Sequence, residues 1–229
     1  RRPDEETFQH VLDFLAAGKP VVAFRTSTHA FRFETGSKWA DWGSQPDPTF
    51  IHSFGGGDLT RELVGQKWIT HHGHFSDGHD PLTEVTLESS HPDHPILRGV
   101  EKPHAMCGGY VGHPKDGITL ARGQVLDGMT ADSPPSKQER QQTRHAVAWV
   151  RNYEPDDAAS RVFATTHGAS EDIVNDDFRR MLLNAHFWCL GMENEITADL
   201  AIDFVGPFHP VTYNFKGYRR NVKPSDIAG

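Results

Sequence analysis

Apolar residues at positions 8, 11, 12 and 15 recur at helical spacing behind Pro3 and the acids Asp4, Glu5 and Glu6, which predicts an N-terminal helix ended by Gly18. Val21, Val22, Ala23 and Phe24 then form a continuous apolar run with no alternation, the mark of a short parallel strand covered on both faces. Residues 31–65 lose all period around Trp39, Trp42, Pro46, Pro48 and the triplet Gly55, Gly56, Gly57, so a long excursion is expected there. Alternation returns at 82–88, and further strands are predicted at 118–126, 145–153 and 161–166. The polar stretch 130–143 between two of these reads as an exposed loop. A last helix over 176–190 carries Phe178, Met181, Leu182, Ala185 and Cys189 on one stripe and stops at Gly191. Strands interleaved with helices indicate an α/β domain over 1–203, with 204–229 as an extended C-terminal strap.

Charge narrows the partners. With 23 Lys and Arg against 31 Asp and Glu, the chain carries a formal charge of -8, which disfavours nucleic acid. No apolar run is long enough to span a bilayer. Two cysteines, Cys107 and Cys189, do not make a disulfide framework, and Cys189 lies on the apolar stripe of the last helix.

The candidate chemistry lies where strands end. Arg25, Thr26, Ser27, Thr28 and His29 follow the first strand, at the edge where open α/β sheets present ligand sites. Ser27 there is either a nucleophile or, since no G-x-S-x-G frames it, a ligand contact or helix cap. His71, His72, His74 and His79 put four imidazoles within nine residues, and His72 with His74 and an acid from elsewhere form a candidate site for a divalent metal such as zinc. The alternative is that they hydrogen-bond around a glycine turn. His91, Pro92, Asp93, His94 and Pro95 read as turn chemistry. His167 follows the strand at 161–166 and lies at the same sheet end as Ser27 if the two strands are parallel, a place for a general base or a hydroxyl partner. Glu171 and Asp172 either orient it or start the helix. Trp39 and Trp42 offer faces for a sugar ring or for core packing.

Residues 18–31, Thr70 to His74, Asp93 to Gly99, 123–129, 161–170 and the last helix through Glu193 together resemble the ThuA-like (trehalose-utilisation) family of the class I glutamine amidotransferase-like superfamily. The resemblance covers nearly the whole chain. It implies a flavodoxin-like open sheet with helices on both faces and a role with a small-molecule sugar, trehalose-related or a 3-keto glycoside. His29, Ser27 and His167 would be its catalytic candidates, and Arg25, Thr26, Trp39, Trp42 and His72 its substrate contacts. It also implies export or a periplasmic place, leaves a homo-oligomer open, and sets the start of this chain after the family's first strands. No cysteine follows the first strand and no His-x-Glu follows the strand ending at Thr166, so glutaminase chemistry is not expected. A sugar-binding or assembly domain without catalysis is the alternative.

Overall fold

A computed structural model describes residues 3–34, 36–42, 45–46, 54–55, 58–73, 82–154, 159–210 and 221–226. Its helices are α1 (Glu5–Ala16), α2 (Asp58–Val64) and α3 (Asp176–Cys189). Its strands are β1 (Val21–Phe24), β2 (Gln45–Pro46), β3 (Phe54–Gly55), β4 (His71–His72), β5 (Thr83–Leu87), β6 (His104–Ala105), β7 (Gly109–Tyr110), β8 (Ile118–Val125), β9 (His145–Tyr153) and β10 (Ser160–Thr165). Six of them form a curled sheet in the order β1-β10-β9-β8-β5-β6, while β2 with β3 and β4 with β7 make two small ribbons.

The fold is an α/β sheet with helices on both faces, consistent with an open flavodoxin-like arrangement. One pair runs parallel: Val21 to Phe24 lie against Val162 to Thr165. The other four pairings are antiparallel, because β8, β9 and β10 follow one another without helical crossovers. The parallel β1/β10 pair points its carboxyl ends at one edge, and the two segments predicted to carry chemistry leave the sheet there side by side.

The two faces differ in what covers them. On one, Phe163, Val150, Ala148 and Leu120 meet the α3 stripe of Phe178, Met181, Leu182, Ala185 and Cys189. Burying each large side chain of this layer contributes roughly 1.5–3 kcal/mol. Asn175 caps α3 by accepting from Phe178 N at 2.8 Å, and Gly191 takes the left-handed φ of 74° that follows the helix. On the other face Ala23, Ala164 and Trp149 pack on Val64 of α2, and the Trp149 indole donates to the Val64 carbonyl at 2.8 Å. Arg151 secures the end of α2 by donating to the Glu62 and Leu63 carbonyls while its fork holds Asp116. The α1 helix, capped by Asp4, adds Phe8 to a separate aromatic group with Phe31, Phe33, Trp39 and Trp42.

One expectation changes: the irregular stretch 31–65 contains α2, whose seven residues are too few to show a period. The 130–143 loop is exposed along most of its length, as expected, and is pinned inward where Pro135 bridges Leu126 and buried Ser136 donates to Gln141 Oε1 at 2.7 Å. No helix among the described residues is long and apolar enough to cross a membrane.

Candidate functional site at the carboxyl end of the parallel pair

At the end of β1 the chain bends sharply. Arg25, immediately after the strand, has φ 41°, a left-handed conformation that a side-chain-bearing residue adopts only under constraint. Ser27 provides part of that constraint. Its hydroxyl accepts from Phe24 N at 3.1 Å and donates to Phe24 O at 2.8 Å, so it closes the bend instead of facing a ligand. Of its two readings the structure gives Ser27 the capping one, and the residue at the elbow itself is Arg25. Thr26 is exposed.

The Arg25 guanidinium reaches across to the loop between β6 and β7. Its Nη1 lies 2.6 Å from the sulfur of Cys107 and donates to the Gly108 carbonyl at 2.9 Å, and the group sits 5.5 Å from the centre of the Tyr110 ring. His29 packs against Trp68 and Tyr110, each at 5.7 Å between ring centres. Burial, then the charge of His71, pushes its pKa down to about 4. The Trp68 amide donates to the Thr28 carbonyl at 3.1 Å and so fixes the approach to β4 against the elbow.

His167 arrives from the neighbouring strand. It is fully buried directly after β10, and its Nδ1 lies 3.1 Å from the Cys107 carbonyl. A carbonyl only accepts, so Nδ1 carries the hydrogen and the neutral ring presents a bare lone pair at Nε2. That Nε2 has no hydrogen-bond partner. Burial above all pushes the His167 pKa down to about 4, against the pull of Asp172. Beside it, Thr166 Oγ1 is also buried without a partner. Gly109 permits this approach, because a Cβ there would fall 2.7 Å from the His167 ring and 2.8 Å from Thr166 Oγ1.

The β4/β7 ribbon pairs His72 with Gly109 and thus brings the third member. His72 is buried with neither ring nitrogen in a close hydrogen bond, and burial followed by the charge of His167 lowers its pKa to about 4 against the pull of the nearby Thr143 and Gln141 backbone. Its ring stands edge-on to His145 at 4.6 Å, and His145 in turn to His113 at 4.9 Å.

Asp172 holds the two loops around this site together. Its Oδ1 accepts from Met106 N at 2.7 Å and Cys107 N at 3.1 Å, and its Oδ2 from Gly168 N at 2.8 Å and Ala169 N at 2.9 Å. Helix α3 begins later, behind Asn175, so Asp172 is a buried clamp and not the first-turn acid of α3.

Of the residues singled out in the sequence, the structure therefore brings Arg25, His72 and His167 to one place, with His29 at its margin. Trp39 and Trp42 lie in the aromatic group around Phe8, where Trp39 meets Phe8 at 5.3 Å; this is the packing alternative. His94 caps the turn at 95–97 by accepting from Ile96 N and lies against Trp188, as its prolines suggested. His74 lies outside the described residues, and among those described no three His, Cys, Asp or Glu side chains are grouped to hold a metal ion. Of the two residues predicted to ligate a divalent metal, only His72 therefore lies among those described.

Missed in the sequence were Cys107, Thr166 and His145, while Asp172 reads there as an orienting or helix-starting acid and not as a clamp between two loops. Only the proximity of Cys107 to Gly108 and Gly109 marked its loop as one where backbone comes close to something else. Comparison with protein-family models, with curated proteins and with solved structures finds no match to this chain.

Proposed function

We propose that this chain is a ThuA-like carbohydrate-processing protein that takes a trehalose-related or 3-keto glycoside at the carboxyl end of β1 and β10. One observation carries the reading: the buried, neutral His167 keeps an unpartnered Nε2 lone pair in the electrostatic reach of Arg25. A neutral imidazole accepts a proton from a sugar hydroxyl or from carbon next to a keto group, and a guanidinium nearby stabilises the oxyanion that develops. His72, with two unpartnered nitrogens, and Thr166 supply further hydrogen bonds of the kind sugar hydroxyls satisfy.

Calorimetric titration with trehalose and with 3-keto-trehalose tests the reading. Saturable binding that His167→Leu weakens by about tenfold or more supports it, since one lost hydrogen bond to a desolvated partner costs about 1–3 kcal/mol. Absence of binding by both sugars to the native protein rejects it. The commitment of the Ser27 hydroxyl to Phe24 favours, as a second reading, a sugar-binding module without turnover. Binding of the keto sugar with no change in it over time selects that second reading.

A further inference from the structure

Neither of the two cysteines of this chain is in a disulfide and both are buried, yet their surroundings differ. Cys189 sits in the α3 layer, where its sulfur lies 3.6 and 3.9 Å from the carbonyls of Val21 and Arg161. Burial pushes that thiol up to about 11. Cys107 instead has the Arg25 guanidinium 2.6 Å from its sulfur, and its thiol donates to the Asp172 carboxylate at 3.5 Å. A cation at hydrogen-bond distance favours the anionic, nucleophilic form of sulfur.

The thiol does not stand alone. The His167 ring is bonded to the Cys107 carbonyl, and its unpartnered, fully buried Nε2 lies next to the Gly109 backbone in the same loop. Access at such a buried sulfur selects for the smallest electrophiles.

From this placement we infer that Cys107 is a modification site for hydroperoxides, a sulfur held reactive by Arg25 inside the candidate ligand site. The sulfur attacks one peroxide oxygen, an S–O bond forms and the O–O bond breaks. Sulfur loses two electrons to the peroxide, and the thiol proton ends on the departing hydroxide to give water, leaving a sulfenic acid. The new oxygen lies against the guanidinium that formerly held the sulfur. Because the Cys107 carbonyl also fixes the His167 tautomer, oxidation disturbs the base of the site along with Arg25.

The full chain is treated with dilute hydrogen peroxide in the presence of dimedone, and the sulfenic-acid adduct at each cysteine is followed by peptide mass spectrometry. Labelling of Cys107 about tenfold or more faster than Cys189 is expected. Equal rates, or faster labelling of Cys189, overturn the inference. Arg25→Gln is expected to slow labelling of Cys107 and leave Cys189 unchanged, with Arg25→Lys intermediate; an unchanged Cys107 rate in folded Arg25→Gln removes Arg25 from the account and overturns it too. Should Arg25→Gln not fold, the ratio of the two rates in the native chain decides alone. None of these readouts uses a sugar, so the outcome is independent of the carbohydrate reading.

Discussion

The α3 face of the sheet and the carboxyl end of β1 and β10 are equally buried but differently finished. Under α3, Phe163, Val150 and Ala148 meet apolar partners, and Asn184 donates to the Ile96 and Arg98 carbonyls at 3.0 Å each while its own Oδ1 has no partner. At the strand ends, His72, His145, His167 and Thr166 are buried with ring nitrogens or hydroxyl left without partners. A buried polar group lacking its hydrogen bond costs about 1–3 kcal/mol. The first region therefore holds the fold, and the second tolerates a cost that a ligand's hydroxyls would relieve.

Acid separates the two regions most strongly. Burial holds His72, His145 and His167 near 4 in the folded chain, below the ordinary value of about 6.5 that they regain on unfolding. A depressed histidine pKa means the unfolded chain binds the proton first. Stability is thus complete above about pH 6.5 and falls as pH drops from there toward 4, by several kcal/mol in sum at about 1.4 kcal/mol per tenfold difference in proton affinity. Urea midpoints measured across this window should show the decline, and His72→Phe should flatten it. A midpoint that stays level from pH 6.5 to 4.5 would contradict the neutral cluster.

Next in size, Phe163→Ala should cost about 3–5 kcal/mol throughout the acid window, because the cavity it leaves under α3 is lined by apolar side chains and by Cys189, whose thiol, raised to about 11, stays protonated there. A pH-dependent loss would show the regions to be coupled. Replacing Asp172 by Asn should cost about 2–3 kcal/mol, since one of the two oxygens serving four amides becomes a donor facing donors. Smallest, Ser27→Ala should cost about 1 kcal/mol in thermal unfolding and leave sugar affinity unchanged; a large loss of binding would restore Ser27 as a ligand contact.

Much of the first region was legible in the sequence, because long amphipathic or continuous apolar segments state their own period. The α3 stripe and the strands β1, β8, β9 and β10 could be marked to within a residue or two. The two-residue strands β4 and β7 could not, since pairing with each other, not any local pattern, makes them strands. At the site, Arg25, His72 and His167 stood out by type and by position after strands. Cys107 did not, and Asp172 reads only as orienting His167 or starting the helix: a lone thiol beside two glycines and an acid just before a helix look the same whether buried or exposed. The left-handed backbone of Arg25 likewise leaves no trace in residue type, because it is imposed by Ser27 and the partners across the loop. The sugar chemistry proposed from the resemblance to ThuA-like proteins would use the neutral, unsatisfied His167.

One carboxylate ties together loops that lie 65 residues apart in sequence. With Met106, Cys107, Gly168 and Ala169 all bonded to Asp172, neither the loop carrying the sulfur nor the loop carrying the imidazole can swing open by itself. Their amide protons should accordingly exchange with deuterated solvent as one cooperative group, at a common rate set by release of Asp172, and a ligand that enters must either fit the latched arrangement or unfasten both loops in a single event.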